Sequence, residues 1–423
     1  MTSTSTDTTD GPDAEAAQAA ADDAFRAEAR AFLEAHASLR QGFGDATITL
    51  GATDTSKEAE HAHVERCRAW QRTLFDNGWA GIAWPVEYGG RGGTVREARI
   101  YAQEESRFDA SASVFAVAIQ MVGPTIMAHG TDEQKAFYLT RMLRGDDIWC
   151  QLFSEPGAGS DLAGLTTKAE RDGDEWIVNG QKVWTSGAQY SDYGMLLART
   201  DSDVPKHQGI TYFLLDMHSP GIDVRPLKQI TGFAHFNEVF LTDVRVPHEN
   251  VLGPLHGGWG VAHTTLANER NMIGSGGTGI TFGAILRLAR ECDATGDPVL
   301  RQQLADCYTR FEILKWLGLR ARARAARGER LGPESSVAKL FVSQRVAKDG
   351  DLVLALEGAR GMLLTDDAPQ NGMWQQVFLN QWGIRTGGGT EQIQRNVIGE
   401  RVLGLPGDIR LDKSVPFRDL PRN

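Results

Sequence analysis

Cysteine is scarce. Four residues in 423 (Cys67, Cys150, Cys292 and Cys307) form no CxxC pair and no regular spacing. That excludes a disulfide framework, a zinc ribbon and a dithiol redox motif, and predicts reduced, mostly buried thiols in the cytoplasm. The ten histidines are scattered as well; His61 and His63 are the closest pair, and without further ligands nearby no metal site is expected. No apolar run approaches the roughly 20 residues of a membrane-spanning helix, so none is predicted. The opening MTSTSTDTTDGPDAEAAQAA has neither a basic start nor an apolar core and does not resemble a signal peptide. An excess of basic charge is missing too. With 44 Lys and Arg against 55 Asp and Glu the net charge is -11, which argues against general nucleic-acid binding. A phosphorylated ligand held by a local basic patch remains compatible with that balance.

What is present is an ordinary globular composition, 41% hydrophobic and 23% charged, long enough for two or three domains with a substantial core. Residues 1–22 are polar, acidic and rich in small side chains, which predicts a disordered tail. Residues 23–149 read as a helical domain. Phe25, Phe32 and Leu33 fall at helical spacing, a helix is expected from about Thr94 through Glu105, and Gly130 ends the apolar run from Met121 to Ala128. Thr131 with Gln134 fits a capping box that starts the next helix. Residues 150–256 switch to strand periodicity, with runs at Met195–Ala198, Gly209–Leu215, Ile222–Val224 and Val239–Val246 separated by Gly and Asp turns. No helical stretch intervenes, so the expectation is an antiparallel, barrel-like module. Residues 257–406 are helical again. Leu300, Leu304, Cys307, Phe311, Leu314 and Leu317 make one apolar stripe of a bundle, and Ser335 or Ser336 can start a further helix. Residues 407–423 form a C-terminal tail. The predicted fold class is therefore α+β, with helical, β and helical domains in that order.

Two features invite a functional reading. Arg320, Arg322, Arg324, Arg327 and Arg330 crowd one helix end; a contact with phosphate or a partner chain is one reading, and a solvated helix C-terminus favoured by the helix dipole is the preferred one. Gly274-Ser275-Gly276-Gly277-Thr278-Gly279 satisfies GxGxxG, but the residues before it, Leu266 to Asn271, read as helix. A dinucleotide fingerprint needs a preceding strand, so a nicotinamide site is rejected.

The most informative stretch is Gln151 to Ser186. It opens on a short apolar segment and runs through Ser154-Glu155-Pro156-Gly157-Ala158-Gly159-Ser160-Asp161. Proline and glycine here suit a backbone that bends or meets a ligand closely. Ser154, Ser160 and Ser186 place hydroxyls around the opening, and Trp184 offers a broad flat face. Glu175–Val178 and Gln181–Trp184 flank Asn179-Gly180, which predicts a hairpin turning at that pair. A large planar ligand and a plain surface loop beside a core tryptophan are both consistent with these residues.

The segment resembles the flavin-contact region of the acyl-CoA dehydrogenase family, whose pattern is roughly (T/S)EPxAGSD, then NGxKxW, then a hydroxyl residue. The likeness extends to GW…P.EYGG.G and GTDEQK..YL in the first domain and covers about residues 23–406. It implies FAD as cofactor and α,β-dehydrogenation of an acyl-CoA thioester, in which a carboxylate takes a proton from Cα while a hydride passes from Cβ to the flavin N5. It further implies that Gln151, Phe153, Ser154, Trp184 and Ser186 surround the flavin ring, that Ser160 sits where flavin and pantetheine approach, and that Thr390 and Gln392 touch FAD from the C-terminal loop. The backbone at Gly388 is implied to bind the thioester carbonyl, and an electron-transfer flavoprotein to accept the electrons.

The chain departs from the commonest family pattern at the base. Many members carry it in a (Y)EGT loop; here the loop reads Gly387-Gly388-Gly389-Thr390-Glu391-Gln392, with Gly388 at the glutamate position. Isovaleryl-CoA and long-chain acyl-CoA dehydrogenases instead carry theirs in a Glu-Arg pair on the first helix of the C-terminal domain. Glu269-Arg270 stands at the matching place, so Glu269 is the expected base, with Arg270 beside the substrate. Glu391 falls after the threonine, at a position not used as base. The RxxFG and QxxGG segments, through which family homo-oligomers reach the adenine half of FAD in a neighbouring subunit, are also missing; the second place reads Ala355-Leu356-Glu357-Gly358-Ala359. Either a homo-oligomer grips that half differently or a paralogous chain completes a heterotetramer. A non-catalytic partner subunit and an oxygen-using oxidase or monooxygenase are the alternatives. Branched, long-chain and steroid-type acyl groups are all compatible with the missing loop glutamate.

Overall fold

The computed structural model of the chain describes residues 12–40, 56–276, 280–327, 329, 332–364, 367–407, 409 and 412–421. The first domain contributes α1 (Pro12–His36), α2 (Lys57–Asp76), α3 (Val95–Glu105), α4 (Gly123–His129) and α5 (Asp132–Arg144). Phe25, Phe32 and Leu33 of α1 are buried among Trp70, Trp79 and Tyr101. The expected tail boundary at Asp22 is corrected by this helix, which begins at Pro12. Its alanine-rich start is a good helix former, and Asp22 takes Nε–H of Arg96 on α3 at 2.7 Å. Residues 1–11 lie outside the described residues. The capping box of Thr131 and Gln134 forms as expected, and the Gln134 amide also donates to the carbonyls of Glu249 and Val251 at 2.8 and 2.9 Å. It thereby ties the helical domain to the end of the β domain.

Seven strands follow: β1 (Trp149–Leu152), β2 (Lys168–Asp172), β3 (Glu175–Ser186), β4 (Tyr193–Arg199), β5 (Ile210–Asp216), β6 (Ile222–Leu227) and β7 (Phe236–Pro247). They pair in the order β1-β4-β2-β3-β7-β6, with β5 also on β4. Most pairings are antiparallel, as expected, but β1 and β2 run parallel to β4. The predicted turn at Asn179-Gly180 is not there. β3 runs unbroken through the pair, and the hairpin turns at Gly173-Asp174 instead. Asn179 exchanges two hydrogen bonds with Asp243 on β7 (2.9 and 3.0 Å), at a bulge in the β3–β7 register. Gly180 is required there because a Cβ would lie 2.3 Å from the Thr167 hydroxyl and 2.7 Å from its Cα. The dipeptide serves a bulge and a close strand approach, and long-range pairing overrides its turn preference.

The C-terminal domain comprises α6 (Gly258–Gly276), α7 (Phe282–Glu291), α8 (Pro298–Ala326), α9 (Ser335–Glu357), α10 (Met373–Thr386) and α11 (Glu391–Val397). Leu304 and Cys307 of the predicted α8 stripe are buried against Leu352, Val353, Leu356 and Trp374, with Leu300 and Phe311 alongside. Cys67, Cys150 and Cys307 are buried free thiols, as expected, and Cys292 is half-buried. In the arginine cluster Arg324 pairs with Glu329 and Glu334, Arg327 pairs with Glu329, and Arg320 is exposed, so the solvated-end reading fits these three. The side chains of Arg322 and Arg330 lie outside the described residues, as do Gly277, Thr278 and Gly279 of the GxGxxG match; its first three residues end α6, and no strand precedes them.

One buried ion pair fixes the loop after β1. Glu155 accepts Lys182 Nζ at 2.8 Å, the Thr166 amide and hydroxyl at 2.7 Å and the Thr167 amide at 2.9 Å. Lys182, with a side chain 0% exposed, donates also to the Phe153 carbonyl at 3.1 Å. The loop is thus clamped onto β3 from below while its outer face stays open.

Burial by itself would raise the Glu155 carboxyl; the Lys182 charge and the threonine donors outweigh it and bring it down to about 2. The folded-state value lies below the usual 4.5, so the stabilisation is present above 4.5 and is lost as pH falls towards about 2. Glu155→Gln leaves an unpaired buried ammonium and should cost roughly 3–5 kcal/mol. Urea unfolding at neutral pH measures that loss, and the variant should show a shallower fall in stability between pH 4.5 and 2 than the parent.

Candidate functional site

The site forms where α6 crosses the front of the β domain. Helix α6 packs against α4, the turn before α4, β5 and α9. That turn, Ala118–Val122, is a π-helical turn closed by the Gly123 amide on the Ala118 carbonyl. Pro124 follows and has no N–H to offer the preceding turn, which accounts for the widened helix; such turns recur at functional sites.

A cavity of about 140 Å³ opens between α6, that turn, β1 and β3, lined by Val117, Met121, Gln151, Trp184, Ser186, Glu269 and Met272. Glu269 is half-buried, with its carboxylate turned to the cavity. Gln151 Nε2 lies 3.4 Å from Oε2, and the backbone of Gly388 is near enough to favour the ionised carboxylate. Burial raises the Glu269 pKa above the ordinary 4.5, against the opposing pull of Gln151, Arg270, Gly388 and Lys339. Burial likewise lowers Arg270 on the same helix, with Glu269 opposing and Arg401 reinforcing that shift. Lys339 reaches in from α9, held by the Ser343 hydroxyl and the Ile384 carbonyl at 2.9 and 2.7 Å. A carboxylate raised by desolvation, facing a cavity and flanked by cations, has the character of a general base.

Trp184 supplies the flat face. Its side chain is 61% exposed and its φ is 62°, a left-handed conformation that costs a non-glycine residue of order 1–3 kcal/mol. A large exposed indole on a strained backbone beside a cavity points to a ligand surface. In the loop after β1, an added Cβ at Gly157 or Gly159 would meet nothing within 4 Å, so protein packing does not explain these glycines. Open backbone, a bare indole and the exposed Ser186 hydroxyl fit a large planar cofactor.

The other expected residues stand further out. Phe153 is buried edge-on to Tyr212, with ring centroids 5.8 Å apart, and Ser154 holds the Val183 amide through its carbonyl at 2.9 Å. Ser160 is exposed at the far end of the loop, next to Asp161, which pairs with Lys206 at 2.8 Å. Thr390 caps α11 by accepting the Ile393 amide at 3.2 Å, and Gln392 is exposed on the first turn. Arg385 holds Glu391 at 2.6 Å, away from the cavity lining. Sequence reasoning missed Val117, Met121, Met272 and Lys339, whose apolar or helical settings look like core. It also missed the buried Gln394, which donates to the carbonyls of Gly388 and Gly389 at 3.0 and 3.3 Å and shapes the loop.

Comparison with known proteins gives a consistent picture. Three family profiles match in order: "Acyl-CoA dehydrogenase, N-terminal domain" over residues 20–146, "middle domain" over 150–244 and "C-terminal domain" over 256–403. Acyl-CoA dehydrogenase IpdE1 of Mycobacterium tuberculosis is 38% identical over 361 residues, 83% of this chain and 91% of that protein. Among solved structures, one described as the Tcur3481-Tcur3483 steroid ACAD is 29% identical, with a TM-score of 0.76 over 92% of this chain and 98% of its own. The ChsE4-ChsE5 complex of M. tuberculosis is 30% identical, with a TM-score of 0.73 over 92% and 98%.

Because the folded-state pKa of Glu269 is raised, its ionisation opposes folding; the stability tied to the neutral form is full below 4.5 and is lost as pH rises through the folded value. Glu269→Gln should therefore melt at a higher temperature than the parent at neutral pH, with the difference closing below pH 4.5. Thermal unfolding across that range measures it.

Proposed function

The chain belongs to the acyl-CoA dehydrogenase family, and from that premise we propose that it oxidises a bulky, steroid-type acyl-CoA at Cα–Cβ, with Glu269 as the base. The observation that carries the reading is the Glu269 carboxylate facing the cavity on α6, while the loop position has Gly388 and no carboxylate. The family is flavin-dependent, and FAD is the form proposed here. Gln151, Trp184 and Ser186 would hold its ring, with Ser154 and the backbone of residues 157–160 along one edge and Thr390 and Gln392 approaching from the C-terminal loop. When bound, the flavin accepts the hydride that leaves Cβ.

The protein's own part is proton chemistry and positioning. Glu269 takes the Cα proton, and its desolvated setting makes it a stronger base than a solvated carboxylate. The backbone of Gly388 lies near enough to Glu269 to favour its ionised form. A thioester carbonyl drawn to the Gly388 amide would gain a donor for the developing enolate oxygen. The φ of 65° at Gly388 lets the loop turn its N–H inward. Arg270 beside the substrate keeps the site's net charge balanced. A steroid-type acyl group is supported by the likeness to the steroid ACAD.

We place the enzyme in the cytoplasm, in line with its free thiols; among the described residues no helix is long and apolar enough to cross a membrane. An electron-transfer flavoprotein is the proposed acceptor. Ile313, Trp316 and Leu319 of α8 and Trp382 of α10 are exposed apolar side chains, Trp316 at 63%, and support assembly through the C-terminal bundle. A heterotetramer with a paralogous chain is the second reading of that assembly, favoured by the likeness to the ChsE4-ChsE5 complex and by the absent RxxFG and QxxGG segments.

Anaerobic mixing with a panel of acyl-CoAs tests the reaction. The parent should bleach its flavin fastest with steroid-type acyl groups, and Glu269→Gln should keep FAD and bleach at least about 1,000-fold more slowly. Equal bleaching by both removes Glu269 as base, and rapid reoxidation by air favours an oxidase. For the parent, the bleaching rate should fall with decreasing pH through a pKa above 4.5, because only the ionised carboxylate accepts the proton.

A further inference from the structure

Behind the cavity runs a chain of buried hydroxyls that neither the cofactor nor the base requires by contact. Thr125 donates to the Met121 carbonyl at 2.7 Å, and its oxygen lies 3.0 Å from the Thr265 hydroxyl. The Tyr212 hydroxyl lies 3.2 Å from Thr265 and 3.0 Å from Met195 Sδ. Thr125, Thr265 and Tyr212 are each 0% exposed. The Thr125 proton goes to the Met121 carbonyl, so between the two threonines Thr265 is the donor, with the Val261 carbonyl of its own helix 3.5 Å away; Tyr212 has both Met195 Sδ and the Thr265 oxygen within reach of its proton.

The sequence positions give this chain its meaning. Thr125 stands four residues after Met121, and Thr265 four residues before Glu269, so each lies one helical turn behind a residue of the cavity wall, on the same face. The preceding residue on α6, Thr264, meets His129 of α4 at 2.8 Å. Two consecutive threonines therefore grip α4 at points one turn apart, fixing both the sliding and the rotation of α6 against it. Tyr212 carries the restraint to β5 and, through its ring, to Phe153 in the flavin segment.

We infer that Thr265, bonded to Thr125 and Tyr212, is a positioning residue that sets the Glu269 carboxylate against the cavity. The inference rests on the assignment of Glu269 as base. An apolar seam would bury as much surface but would leave the two helices free to slip by fractions of an ångström, and a misplacement of about 1 Å at a reacting group can cost about 100-fold in rate. The groups that face Glu269 come from different elements: Gln151 from β1, Arg270 from α6, Lys339 from α9 and the Gly388 amide from the loop. A slip of α6 alters the carboxylate's relation to all of them except Arg270.

The test uses the flavin-loaded protein and the acyl-CoA that bleaches the parent best. Thr265→Val keeps the shape and deletes the hydroxyl, Thr265→Ser keeps the hydroxyl, and Thr125→Val removes its partner. Four quantities are read: the rate of anaerobic flavin reduction, acyl-CoA affinity from the flavin spectrum, the melting temperature, and the titration of the Glu269 carboxyl by infrared difference against Glu269→Gln. The expected result is a loss of about 10- to 100-fold in reduction rate for Thr265→Val and for Thr125→Val, with affinity changed by no more than about threefold. Thr265→Ser should restore the rate, and the double valine variant should be no slower than the worse single one. The carboxyl should titrate nearer its ordinary value as water enters the loosened seam. Valine variants that lose melting temperature yet keep the parent's rate and carboxyl titration overturn the inference. If Thr265→Val does not fold, Tyr212→Phe, which removes only the far end of the chain, decides by the same readings. Unimpaired bleaching by Glu269→Gln would overturn the base assignment, whereas the carboxyl titration of the threonine variants still judges the positioning claim by itself.

Discussion

The arrangement depends on the buried pair of Glu155 and Lys182. A glycine-rich loop open to solvent has little of its own to hold it, since bare backbone loses more entropy on ordering than any other chain and brings no side chain to pack. Here the loop is held from beneath. Glu155 has its acceptor capacity filled by one ammonium and three donors of the following segment, and Lys182 reaches up from β3 with no exposure at all. Removing two charges from water is costly, and the geometry offsets that cost only because the remaining lone pairs are satisfied. The return is a loop whose upper surface can stay empty of side chains. Trp184, two residues beyond Lys182, is set into its left-handed conformation by the same anchored strand.

Helix α6 is the second organising element. It packs against the π-helical turn, α4, β5 and α9 and carries the one carboxylate among the cavity-lining residues. Burial that raises this carboxylate also makes the folded protein less stable at neutral pH than a neutral side chain would, a familiar tension between a reactive group and the fold that holds it. Around it the chain has placed neutral hydrogen-bonding groups and two cations at the edge, so the charge is tempered without being locked in a close ion pair.

Much of this was legible in the sequence, and the parts that were not share a cause. Domain order, the capping box at Thr131, the strands β4 to β7 and the α8 stripe all follow from local periodicity, which needs no knowledge of distant partners. The segment from Gln151 to Ser186 was readable because its residues are unusual for a core: serines, glycines and a tryptophan in one run. Asn179-Gly180 misled because its local preference is for a turn, whereas its partners, Asp243 and Thr167, come from elsewhere in the chain. The tail at residues 12–22 misled in the opposite sense. Its composition is that of a disordered segment, and the bond from Asp22 to Arg96 that helps dock it is a tertiary fact. Val117, Met121 and Met272 were invisible as cavity residues because apolar side chains on a helix look the same whether they face a core or a ligand. Only the π-helical turn before Pro124 marks that wall as special, and one proline in an apolar run carries no warning of it.

The loop through Gly388 and Gly389 carries no side chain at those positions, while the acidic side chain of the cavity wall comes from the middle of a long helix, α6. If Glu269 is the base, as proposed, proton chemistry and shape fall to different parts of the chain. A loop freed from carrying the reactive group can lengthen, shorten or change its residues without disturbing the carboxylate, and the helix can stay unchanged while the chamber beside it is remodelled. In evolutionary terms the two become separate modules: one inherits the reaction, and the other is left to explore which molecules undergo it.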